Sequence, residues 1–130
     1  MLTTASSFEH GETVARLLDA ISQEGLTVFA QFDHAAWARD AGMDLSNEVV
    51  IVFGNPRAGT PLMQADPRVG IELPLRVLVW DQDGQTIVGY NDPRDLADPY
   101  DLTRQAAVLD AMSSLLDRLA NDAAGSAEHQ

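Results

Sequence analysis

A chain of 130 residues, 45% hydrophobic and 22% charged, is long enough to bury one core, too short for a second, and too ordinary in composition for disorder over its main body. Eight basic against twenty acidic residues leave a net charge of −12, a field that repels phosphate backbones and anionic lipid, so neither nucleic acid nor a membrane is an expected partner. Every basic residue is an arginine and cysteine is absent, which excludes Schiff-base and P-loop lysines, disulfides, thiolate nucleophiles, iron–sulfur clusters and cysteine-based zinc sites.

Leu2 to Phe8, rich in threonine and serine, reads as a short opening strand. It has neither the basic start nor the apolar run of a signal peptide, and no stretch approaches membrane-spanning length, so the protein is expected in the cytoplasm. Val14, Leu17, Leu18 and Ile21 recur at helical spacing ahead of Gly25, predicting a helix from His10 to Glu24 closed by a left-handed cap. Leu26 to Phe32 reads as a strand with Leu26, Val28, Ala30 and Phe32 on one face. Asp33 to Gly42 is alanine-rich and predicts a short helix capped by Asp33.

Val49 to Phe53 is a continuous run suited to burial on both faces, hence a central strand. Asn55-Pro56 breaks it, and Thr60-Pro61 marks the expected start of a helix through Leu62, Met63 and Ala65. Leu75 to Trp80, a turn over Asp81 to Gly84 and a return over Gln85 to Tyr90 predict a β-hairpin. Asp92-Pro93 and Asp98-Pro99 begin two similar five-residue units, read as consecutive helical turns capped by aspartate. From Thr103 to Ala120 an apolar stripe of Leu109, Met112, Leu116 and Leu119, widened by Val108 and Leu115, predicts the last helix. One domain over residues 1–122 is therefore expected, with 123–130 as a flexible tail.

The aspartates at 92, 95, 98 and 101 invite a cation, yet capping accounts for them more simply, so no metal or other cofactor is expected. Asp81, Asp83 and Gly84 resemble the opening of a calcium loop, but Thr86 and Asp92 stand where such a loop needs glycine and glutamate. His34 beside Asp33 is the candidate general base; a helix-start histidine bonded to backbone is the blander account. Gly54 to Gln64, with two glycines and two prolines after a buried-type strand, is the most unusual stretch. It suits backbone amides and Arg57 set to receive an anion or a carbonyl oxygen, or else a tightly specified connection without a ligand. Trp37, Met63 and Trp80 fit a pocket wall or, more commonly, the core.

Thr27-Val28-Phe29-Ala30 leading to Phe32-Asp33-His34-Ala35-Ala36, then Val52-Phe53-Gly54-Asn55-Pro56 through Gln64, Leu73-Pro74-Leu75-Arg76-Val77-Leu78-Val79-Trp80 and Tyr90-Asn91-Asp92-Pro93 together resemble the domain of unknown function 302 family. The likeness runs from Leu26 to Leu96. It implies an α+β fold, two-layer, with a mostly antiparallel sheet packed against helices, and a homodimer; it implies no settled activity. The family's motif positions here include Asp33, His34, Asn55, Gly59, Thr60, Met63, Tyr90 and Asn91.

These readings converge on a small-ligand-binding or accessory domain whose site draws on His34, Asn55, Arg57, Thr60, Met63 and Asn91, because the predicted strand ends at Phe32, Phe53 and Tyr90 carry polar residues into loops expected to meet. An acid–base enzyme, with His34 oriented by Asp33 or another carboxylate, is the second reading. The third is a module that only dimerises, through an exposed apolar face and without a pocket.

Overall fold

The computed structural model describes residues 1–125. Five strands, β1 (Leu2–Ala5), β2 (Thr27–Asp33), β3 (Glu48–Gly54), β4 (Leu75–Gln82) and β5 (Gln85–Tyr90), form one sheet in the order β1-β5-β4-β3-β2. All four pairings are antiparallel. The helices are α1 (His10–Gln23), α2 (His34–Asp40), α3 (Pro56–Ala65) and α4 (Ala106–Ala124), joined by short 3₁₀ turns at Pro67–Glu72, Pro93–Leu96 and Thr103–Gln105. The α+β, two-layer expectation holds. Among the described residues no helix is long and apolar enough to cross a membrane.

Alternation along the strands sorts the sheet into two faces. Val49, Ile51 and Phe53 of β3, Val77 and Val79 of β4, and Val88 and Tyr90 of β5 point into a core shared with Leu17 and Ile21 of α1 and Leu116 and Leu119 of α4. A second, smaller core gathers Leu62 of α3, Val69, Leu102, and Leu109 and Met112 of α4. On the opposite face the register brings Val50 beside Leu78 and Trp80 beside Ile87, all half-buried. The short α2 lies at the margin of that face, with the Trp37 ring 5.8 Å from Phe32.

Asp83 and Gly84 both take positive φ, the pair of left-handed residues that a two-residue hairpin requires. Gly25 likewise closes α1 as a left-handed cap. Gly89 serves a different need: a Cβ there would stand 3.0 Å from the Trp80 ring and 2.8 Å from the Met1 sulfur, so only glycine lets the indole lie across β5.

Two boundaries differ from expectation by the most, four residues each. The helix predicted from Thr60 begins at Pro56, with Pro61 inside it, because Asn55 caps the turn and Pro56 fills the first position, where no N–H is needed. The tail expected from Ala123 is helix as far as Ala124; Ala123 and Ala124 are fully buried, and the Ser7 amide donates to the Ala124 carbonyl at 2.9 Å. Residues 126–130 of that expected tail lie outside the described residues.

Candidate functional site

The β2–α2 corner holds the two candidate catalytic residues. Asp33 Oδ1 accepts the Ala36 amide at 2.9 Å, so its carboxylate caps α2 as predicted. His34 is half-buried and meets the Trp37 ring edge-on at 5.6 Å. Among the described residues no hydrogen bond reaches its ring, so the orienting carboxylate that acid–base chemistry needs is not in place.

Antiparallel pairing also decides which loops meet. Asp33 pairs with Val49, at the start of β3, whereas Gly54, at its end, pairs with Thr27. His34 therefore lies roughly 20 Å from Asn55, about six residues along the strand, and does not join the other candidates. The ends of β3 and β5 do converge, both beside the start of β4. The expectation that Phe32, Phe53 and Tyr90 deliver their loops to one rim is thus corrected to two of the three.

At that end Asn55 uses its Oδ1 to accept the Arg57 amide at 2.9 Å, while its carbonyl accepts the Ala58 and Gly59 amides at 2.9 and 3.2 Å. These donors are spent within α3, so the anion cradle expected from the loop does not form. The same local unit occurs twice more. Asp66 caps Arg68 and Asp92 caps Arg94, and in both the guanidinium folds back onto its aspartate, at 2.7 and 2.8 Å. Asparagine at 55 offers no such charge, and Arg57 stands exposed, outside the cavity wall.

What the site does contain is a cavity of about 220 Å³ between the sheet end, α3 and α4. Asn55, Thr60 and Met63 line it, as the sequence suggests, and no charged side chain does. Asn91 sits in an adjoining cleft of about 70 Å³ with Arg76 and Asp92, separated by the shared wall of Leu73, Leu75 and Met112. Trp37 and Trp80 line neither.

Most of the wall went unread in the sequence. Phe29 reaches the cavity because β2 bulges between Val28 and Ala30, and a bulge re-aims the extra side chain. Gly54 and Gly59 keep the space open: a Cβ on Gly59 would touch Leu73 at 3.7 Å, and one on Gly54 would touch Pro74 at 3.6 Å. Met112 and Leu115 lie on the predicted stripe of α4. The stripe signals burial but not that its edge is left uncovered.

Among the described residues no cluster of three or more histidine, aspartate or glutamate side chains is set to hold a metal ion. The hydrogen bonds from Arg68 and Arg94 hold Asp66 and Asp92 below the ordinary carboxylate value of 3.8. A depressed pKa stabilises the fold fully above 3.8 and loses that contribution as pH falls through the folded value. Urea melts should therefore show stability falling as the pH drops below about 4, with a shallower fall in Asp92→Asn, which keeps the cap without the titration.

Three comparisons bear on the whole chain. The family model described as domain of unknown function DUF302 matches residues 2–119. A Brucella suis biovar 1 (strain 1330) protein named fluoride-specific ion channel FluC 1 is 38% identical over 103 residues, covering 78% of this chain and 41% of that protein. The Brucella abortus biovar 1 (strain 9-941) protein of the same name is also 38% identical, covering 38% of its length. The chain thus spans about two fifths of the curated relatives it matches. The crystal structure of an uncharacterized conserved DUF302 protein from Bacillus stearothermophilus superposes with a TM-score of 0.85 at 23% identity, covering 94% of this chain and 96% of that one.

Proposed function

The chain belongs to the DUF302 family, and from that premise we propose that it is a small-ligand-binding accessory domain whose site is the cavity edged by Asn55, Thr60 and Met63. The observation that carries this reading is the cavity itself, mostly apolar, with the polar side chains of Asn55 and Thr60 in its lining, the usual make-up of a small-molecule site. The relatives named as fluoride channels support the accessory role. A channel must cross a bilayer, none of the helices described here can, and the segment shared with those proteins is read as a part other than the pore. The proposed setting is the cytoplasm, and the net negative charge disfavours nucleic acid as a partner.

A thermal-shift screen of small molecules tests the reading. A true ligand raises the melting temperature with the logarithm of its concentration. Asn55→Ala and Thr60→Ala should weaken the shift, and His34→Ala should leave both shift and stability unchanged. A hit abolished by His34→Ala instead would favour the acid–base reading.

The open sheet face favours a second activity, pairing of two copies. Arg76 lies beside Val52 and Glu48 beside Trp80, so Arg76 and Glu48 flank the Val50–Leu78 pair on opposite sides, on adjacent strands. A two-fold axis through that pair brings Arg76 of each copy to Glu48 and Trp80 of the other, a self-complementary arrangement. Sedimentation equilibrium should find a dimer that Leu78→Glu and Arg76→Glu weaken and the double exchange Arg76→Glu/Glu48→Arg restores. A wild-type protein that stays monomeric at about 100 μM would end this reading.

A further inference from the structure

Resting on the ligand-binding reading, we infer that the cavity takes an uncharged aromatic molecule of one ring or two fused rings bearing one hydrogen-bonding group, of the size of phenol or indole. Volume sets the first limit. A cavity of about 220 Å³ exceeds the roughly 150 Å³ that is known to hold benzene, and leaves room for a substituent or a second fused ring.

The wall sets the second. Met63 from α3 and Met112 from α4 both line the space, together with the ring of Phe29. Thioether sulfur contacts aromatic rings more favourably than alkyl groups, and Phe29 offers an edge or a face to a ring. A site lined by leucine alone would carry no such preference.

Charge and hydrogen bonding set the third. No charged side chain lines the cavity, and Arg57, the nearest basic residue in sequence, lies outside its wall. Burying an anion there would have no compensating cation. Asn55 has spent its Oδ1 on the Arg57 amide, which leaves its amide hydrogens to donate at the rim. Thr60 supplies a hydroxyl able to give or accept. One polar group on the ligand, held between these two, fixes its orientation.

The test is calorimetric titration of the intact chain with phenol, indole, hexan-1-ol and benzoate. Phenol and indole should bind about tenfold more tightly than hexan-1-ol, and benzoate should show no heat. The near-isosteric double variant Met63→Leu/Met112→Leu should bring the aromatic and aliphatic affinities within about twofold while hexan-1-ol binding is kept. Gly59→Leu should abolish binding of every probe, and Gly59→Ala should weaken it in a helix that the substitution favours. Hexan-1-ol binding as tightly as phenol, or benzoate binding best, overturns the aromatic, uncharged assignment while the ligand-binding reading stands. Absence of heat with all four probes, followed by absence of any hit in the thermal-shift screen, overturns both.

Discussion

Phe53→Ala is expected to cost about 4 kcal/mol of folding stability, the middle of the range for a large buried aromatic. Phe53 is the largest of the fully buried side chains. It stands between Val28 of β2 and Leu75 of β4 in the strand register, so no single neighbour can close the space its ring leaves. A loss of that size is a large part of the ~5–15 kcal/mol that holds a domain of this kind together. It also falls directly behind Gly54 and Asn55, so the cavity should loosen with the fold. Phe29→Ala is the control, since Phe29 is 50% exposed at the cavity wall; its cost is expected to stay below about 1 kcal/mol. Urea unfolding at neutral pH measures both. Equal costs for the two would contradict the core placement of Phe53.

Thr13→Ala is expected to cost about 2 kcal/mol, for an electrostatic rather than a packing reason. Thr13 is wholly buried in the first turn of α1. Its hydroxyl donates to the Glu9 carbonyl at 2.9 Å and meets Ser6 Oγ at 2.7 Å, while Ser6 Oγ accepts the Phe8 amide at 3.0 Å. Removing the Thr13 hydroxyl leaves the Ser6 proton buried without an acceptor. Thr13→Val, which keeps the volume, should cost as much. The double variant Ser6→Ala/Thr13→Val should cost less than the sum of the two single changes, because it removes both ends of the bond. Strict additivity in that cycle would show that the two hydroxyls do not interact.

The fold was legible wherever a local rule and the tertiary context agreed. Gly25 after a helical stripe admits few backbone solutions and closes α1 as predicted, while the turn expected over Asp81 to Gly84 forms on its last two residues alone, because β4 runs on to Gln82. The start of α3 was harder, since Asn55-Pro56 and Thr60-Pro61 carry the same local signal. Burial of Leu62 and packing of Ala58 against the second core draw the helix across both prolines, and nothing local reveals that. Ala123 and Ala124 misled for a related reason: small residues among polar ones look like a tail until Ser7 and Phe8, over a hundred positions away, pack against the helix end.

The site was legible only at its polar rim. Asn55, Thr60 and Met63 stand in a segment whose glycines and prolines signal a specified backbone. His34 shared their motif-like character but not their end of the sheet, a distinction that strand direction decides and residue type does not. The apolar wall was silent because leucine, methionine and phenylalanine announce burial without saying whether the space beside them is filled.

The irregularity that throws Phe29 out of step has a bearing on how the molecule behaves in a crowd. β2 is the outermost strand on its side, seven residues long and carrying two phenylalanines; flat and regular, it would template the addition of a stranger's backbone. The kink between Val28 and Ala30 spoils that template midway, and on the other side β1 offers only four residues. Straightening β2 by deleting Phe29 should therefore make the protein form fibrils or precipitate at lower concentration than the parent chain does.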